Sequence, residues 1–145
     1  MLPKEGYRIL NYLLDTDICV YWLRGYSLLK ERKELLEEGH HLSVSILTVG
    51  ELKYGAYRSE RTIVNLKAID QFLTGVQVQP LTLQIMDTYG QIKGELVKQG
   101  TPLDEFDLLI ACTAIENHVT LVTHNKRHYQ RVRSLLIEDW FHSSS

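Results

Sequence analysis

ILNYLLDTDICVYWL, residues 9–23, changes its hydrophobic period at a single acid, Asp15. Before it, Ile9 to Leu14 is apolar apart from Asn11 and reads as a buried strand. After it, Thr16 to Leu23 reads as a helix, with Gly25 as its stop signal. A strand that runs directly into a helix is the first half of a crossover unit, so a parallel sheet is expected.

The same alternation recurs along the chain. A polar helix is expected over Ser27 to Glu38, a strand over Leu42 to Val44, and a helix capped by Ser45 running to about Tyr57. Ser59 is expected to cap a further helix, to Leu73, followed by a short strand from Val76 to Gln79. Thr82 opens a long helix through Lys98 that Gly100 ends. Pro102 sits near the first turn of the next helix, which Asp104, Glu105 and Asp107 favour through the helix dipole and which runs to His118. Val119 to Val122 reads as a strand, Lys126 to Val132 as a short basic helix, and Leu135 to Ile137 as the last strand. Short apolar strands separated by helices give an α/β fold, a mainly parallel sheet with helices on both faces. Ligands of such sheets bind beyond the carboxyl ends of the strands, which directs attention to Asp15 and to Thr123–Asn125.

With 145 residues, 16 Lys plus Arg against 18 Asp plus Glu, and 44% apolar residues, the composition is that of one globular domain spanning 1–145, with its core over about 9–140. A chain of this length buries roughly 70% of its unfolded surface and needs no disulfide or metal staple to fold. The two cysteines, Cys19 and Cys112, lie among apolar residues and read as buried thiols of a reduced compartment. The N-terminal stretch carries Glu5 and no cleavable small-residue site, and Leu108 to Ile115 falls far short of the roughly 20 residues that span a bilayer. A cytoplasmic protein without a membrane segment is expected. The net charge of −2 argues against a generic nucleic-acid coat. Neither GxxxxGK[ST] nor GxGxxG occurs, so the phosphate cradles of triphosphate and dinucleotide enzymes are missing.

Three acids interrupt apolar settings: Asp15 in LLDTDI, Glu51 in SILTVGELKYG and Asp107 in PLDEFDLLIA. One such acid at a strand end or in a first helical turn is ordinarily a cap. Glu51, on an otherwise apolar helix, is expected to be partly buried, which is costly for an unpaired carboxylate. Carboxylates gathered without matching cations raise one another's pKa, and a hard divalent cation relieves that repulsion. The chemistry that follows is in-line hydrolysis of a phosphodiester by an ion-activated water. Charge along the chain fits this: residues 101–123 hold four acids and no Lys or Arg, whereas residues 124–145 hold four bases and two acids. Two solvated helix faces of opposite sign are the plain alternative.

LLDTDICVYWLRG, SILTVGELKYGA and GTPLDEFDLLIACTAIENHVTLVTHNKRHYQRV together resemble the PIN-domain ribonucleases, specifically the VapC toxins of type II toxin–antitoxin systems, from Ile9 to Trp140. The resemblance implies a three-layer α/β/α sandwich and a Mg²⁺- or Mn²⁺-dependent endoribonuclease acting on tRNA or ribosomal RNA. It also implies a cognate VapB-type antitoxin and a homodimer. It places Asp15, Glu51 and Asp107 at the metal and Asn125 beside them in the catalytic pocket. Thr16 and Thr123 match orienting hydroxyls, and Asp17 a supporting acid. Lys126, Arg127 and Arg131 are candidates for RNA phosphates. His128 stands where these toxins usually carry Asp or Glu, so one held ion and a weaker, substrate-dependent second one are expected. Asp104 stands where Gly is common and is expected to cap its helix.

Rival readings are a catalytically weak module acting through antitoxin binding and operon regulation, and a PIN nuclease of RNA maturation or of single-stranded DNA. His124 and His128 have HxxxH spacing but lack the Glu of a zinc protease motif. His40 and His41 read as loop residues. Tyr54 and Tyr57, three apart on the Glu51 helix, are candidates to line a groove or partner surface.

Overall fold

The structure, a computed structural model, describes residues 11–26 and 40–141. Five parallel strands are described: β1 (Asn11–Leu14), β2 (His41–Ser45), β3 (Gln77–Gln79), β4 (Thr120–Val122) and β5 (Ile137–Glu138), in the spatial order β3-β2-β1-β4-β5. Six helices lie among the described residues: α1 (Thr16–Leu23), α2 (Ile46–Arg58), α3 (Thr62–Leu73), α4 (Leu83–Lys98), α5 (Glu105–Glu116) and α6 (Lys126–Tyr129). The expected parallel α/β sandwich is thus present, with β1 at its centre. The polar helix expected over Ser27 to Glu38 lies outside the described residues.

Side chains on a strand alternate between faces, and β1 buries both of them. Tyr12 and Leu14 face a core completed by Ile18 and Cys19 of α1, Leu52 and Ala56 of α2, Ile69 of α3, and Trp140. Leu13 faces the opposite core, with Ile85 and Leu96 of α4, Leu108, Ile110 and Cys112 of α5, and Tyr129. β4 repeats the division, Val122 joining the first core and Leu121 the second. Two-sided burial explains why β1 reads as a nearly continuous apolar run. It also makes the centre of the sheet rigid: Leu13 and Leu14 are fully buried, and truncating either to Ala costs about 2–5 kcal/mol. Both cysteines are buried free thiols.

Helix starts follow the expected chemistry. Ser45 accepts from Leu47 N at 3.1 Å, Thr82 from Ile85 N at 3.1 Å, and Asp104 from Phe106 N at 3.2 Å. Ser59 is a correction. It closes α2 rather than capping α3: its Oγ donates to Ala56 O at 2.6 Å and accepts from Asn65 Nδ2 at 2.8 Å, leaving Arg61 at the uncapped start of α3. Pro102 also lies outside its helix, because Asp104 caps two residues later. α5 ends at Glu116, two residues short of expectation, where His118 takes a left-handed φ of 55°. α6 is only one turn long, and β5 lies further along the chain than expected, beginning at Ile137. His41 opens β2, paired with Asn11, instead of standing in a loop. Among the described residues, no helix is long and apolar enough to cross a membrane.

Candidate active site

The carboxyl end of β1 is where the acids meet. Asp15 ends that strand, caps α1 and is only 6% exposed. Its Oδ1 accepts from Thr16 N at 2.9 Å and its Oδ2 from the Thr123 hydroxyl at 2.9 Å, while its own N–H donates to Val122 O at 2.8 Å. These bonds pin the carboxylate between β1 and β4. Burial pushes the Asp15 carboxyl up to about 7, the Asp17 charge adds to this, and the Thr123 and Thr16 bonds only partly offset it.

Glu51 arrives from α2. Thr48, Leu52 and Ala56 form the buried stripe of that helix, and Glu51, one turn beyond Thr48, shares its side. Both residues meet the Thr16 hydroxyl, which donates to Glu51 Oε1 at 2.7 Å and lies 2.9 Å from the Thr48 hydroxyl. Partial burial raises the Glu51 pKa, opposed by the Thr16 bond and reinforced by Asp107 and Asp104. Asp107, in the first turn of α5, is a third exposed and bonds its Oδ2 to His128 Nε2 at 3.0 Å. Asp17 accepts from His124 N at 3.1 Å through Oδ2, whereas its buried Oδ1 has no hydrogen-bond partner among the described residues. Burial raises its pKa as well.

Residues 12–134 match the family model of the PIN domain. The chain belongs to the PIN-domain family.

Within that family its relatives are VapC ribonucleases. It is 32% identical over 130 residues to Ribonuclease VapC2 of Rickettsia felis, covering 89% of this chain and 97% of that protein. It is 33% identical over 132 residues to the tRNA(fMet)-specific endonuclease VapC of Shigella flexneri, covering 91% of this chain and 99% of that protein. Its fold superimposes on a chain of the crystal structure of VapBC2 from Rickettsia felis bound to a promoter DNA fragment, with a TM-score of 0.86 and 31% identity over 90% of this chain and 99% of that one. A chain of DNA-bound VapBC from Salmonella typhimurium gives a TM-score of 0.84 and 32% identity over 91% and 99%. The chain therefore belongs to the VapC group of the PIN-domain family.

In this PIN domain the oxygen donors expected at a divalent cation lie at one end of the sheet. Asp107 acts electrostatically on both Asp15 and Glu51, so the three acids share one field. Among the described residues, no Lys or Arg forms an ion pair with Asp15, Asp17, Glu51 or Asp107. Nor, among them, are three acids, histidines or cysteines gathered into a ready-made cage. Raised carboxyl pKa values, hard oxygens and the unpartnered Asp17 Oδ1 fit an open site for a hydrated ion, since Mg²⁺ usually keeps several waters.

Thr123 is fully buried and joins three groups: besides Asp15, its hydroxyl lies 3.5 Å from Asp17 Oδ2 and accepts from Asn125 N at 3.0 Å. Asn125 begins α6 and is exposed, without a side-chain bond to that helix. Lys126 and Arg127 are exposed on α6. Arg131 has one guanidinium N–H committed to Pro102 O at 2.9 Å. The HxxxH pair does not converge, because His124 faces Asp139 and His128 faces Asp107. Tyr54 and Tyr57 project from α2 at 63% and 67% exposure, where a partner can reach them.

Tyr129 escaped the sequence reading. It is fully buried under the acids, and burial, the charges of Asp15 and Asp107 and a hydrogen-bonding approach to Asp15 together raise its pKa. The sequence signal for it was an aromatic residue in an otherwise polar, basic segment, KRHYQR.

Proposed function

We propose that Asp15, Glu51 and Asp107 hold Mg²⁺ or Mn²⁺ and that the chain uses this centre to hydrolyse a phosphodiester bond of a tRNA. The observation that carries the reading is the linked set Thr123–Asp15–Thr16–Glu51, which fixes two acids from different elements at the end of the central strand. The ion supplies an activated water and offsets charge on the departing oxygen. Around it, the chain's own groups hold geometry: Thr123 orients Asp15, Thr16 orients Glu51, and the His124 N–H orients Asp17. Asn125 positions the water or the scissile phosphate from the pocket mouth. Lys126, Arg127 and the free guanidinium edge of Arg131 take neighbouring phosphates. A tRNA substrate is supported by the Shigella and Salmonella relatives, named tRNA(fMet)-specific endonucleases, at 33% and 31% identity.

The activity is restrained by a VapB-type antitoxin, as the VapBC complexes among the similar structures indicate. A cleft of about 420 Å³ between α1, α2 and α3, lined by Leu23, Leu52, Ala56 and Ile69 together with Arg24 and Glu51, suits an apolar partner segment.

The test incubates the purified chain with end-labelled initiator tRNA in Mg²⁺ or in chelator, beside Asp15→Asn. Discrete products that need the ion and vanish in the variant are expected. Undiminished cleavage by folded Asp15→Asn, or cleavage in chelator, overturns the assignment. Absence of any cleavage with retained antitoxin binding favours the binding-module reading.

A further inference from the structure

The imidazole of His128 presents Nε2, at 3.0 Å, to the Oδ2 of Asp107. Two donors on adjacent positions of one octahedral ion, each at 2.0–2.1 Å, lie about 3 Å apart, so this pair already has the spacing of two ligands. Both side chains retain exposure, 27% for His128 and 33% for Asp107, which leaves the gap between them open to an ion from solvent. No hydrogen bond to Asp107 Oδ1 occurs among the described residues, so this carboxylate can turn without breaking a second contact. His124 does not compete for the role: its ring faces Asp139 and packs on Tyr21 and Phe141.

We propose that His128 is a direct nitrogen ligand of the metal centre, through Nε2, and that it turns the site's preference from Mg²⁺ toward Mn²⁺. Mg²⁺ favours oxygen donors almost exclusively, whereas an imidazole nitrogen favours first-row transition ions over it, Mn²⁺ the least strongly among them. An Asp107 oxygen and a His128 nitrogen on one ion discriminate by donor type. The proposal rests on the metal reading above and adds a ligand to it.

The competing role for His128 is that of a positioning residue whose ring N–H only steadies Asp107. Loss of such a partner by itself lowers metal affinity 10–100-fold, so affinity alone does not separate the two. Pulsed electron paramagnetic resonance does. The full chain loaded with Mn²⁺ is expected to show modulation from a directly bound imidazole ¹⁴N. That signal is lost in His128→Ala and kept in His124→Ala. Calorimetric titration with Mn²⁺ and Mg²⁺ is expected to show the Mn²⁺ preference falling about tenfold or more in His128→Asp, which restores an all-oxygen set. Mn²⁺ binding without ¹⁴N modulation, or modulation that persists in His128→Ala, overturns the ligand assignment and leaves the metal reading standing. Failure of Mn²⁺ and Mg²⁺ to bind at all overturns both.

Discussion

The hydroxyl of Thr123 donates to the Oδ2 of Asp15 across 2.9 Å, joining residues 108 positions apart in the chain. Both belong to strand ends at the centre of the sheet, so their distance is set by the Leu14–Val122 register of β1 and β4. Replacing Thr123 by Val keeps the shape but strips Asp15 of a donor and Asn125 N of its acceptor. A stability loss of about 1–3 kcal/mol is expected from the unsatisfied groups, read as a lowered midpoint in urea. Thr123→Ser, which restores the hydroxyl, should recover both stability and cleavage. Equal loss in Val and Ser variants would count against the hydrogen bond as the cause.

Asp15 makes stability depend on pH in an unusual direction. Its folded pKa of about 7 lies above its ordinary 3.8, so between those values the folded state binds more protons than the unfolded one. Stability of the metal-free protein therefore falls as pH rises through that window, by at most about 4 kcal/mol from this group. Asp17 and Glu51, also raised, act with the same sign. Thermal melts in chelator should show a lower midpoint near pH 8 than near pH 5, a difference that Asp15→Asn diminishes and that added Mn²⁺ opposes. A midpoint that rises with pH in chelator contradicts the raised pKa.

Tyr129 offers a cleaner separation of packing from polarity. Its ring is fully buried in the second core, while its hydroxyl lies against the Asp15 carboxyl. Tyr129→Phe is expected to cost about 0.5–1.5 kcal/mol, the net worth of one hydrogen bond. Tyr129→Ala is expected to cost about 3–5 kcal/mol. A Phe variant as stable as the parent would show that the contact with Asp15 contributes nothing.

The basic side chains should reveal themselves through salt. Each cation that neutralises a phosphate of single-stranded RNA contributes about 0.7 to the slope of log affinity against log salt. Lys126→Ala and Arg127→Ala are each expected to shallow that slope by about this amount, measured with catalytically dead Asp15→Asn as the common background. An unchanged slope removes the residue from the RNA path.

Much of the fold was legible because the cues were local. Asp15, Ser45, Thr82 and Asp104 each accept a backbone N–H where a helix begins, and the apolar runs that precede or follow them are buried as the pattern implies. Ser59 misled because a hydroxyl between two helices serves either end, and its neighbours Ala56 and Asn65 decided the matter. β5 was misplaced because its pairing with β4 depends on long-range register rather than on local propensity. At the candidate site, the acids could be picked out as interruptions of apolar runs. The Thr16–Glu51 and His128–Asp107 contacts could not, since each joins separate elements brought together only by the sheet.

The order in which the chain supplies its site carries a consequence for synthesis. Asp15, Thr16 and Asp17 leave the ribosome first, yet the hydroxyl that steadies Asp15 belongs to Thr123, and the partner of Asp107 is His128. A nascent chain halted before that point holds acids without their supports. A fragment that ends before Thr123 and His128 lacks the groups that hold Asp15 and Asp107, and one that ends at α6 still lacks β5 and the buried Trp140, so the acids gain their supports only when nearly all of the described chain has been made.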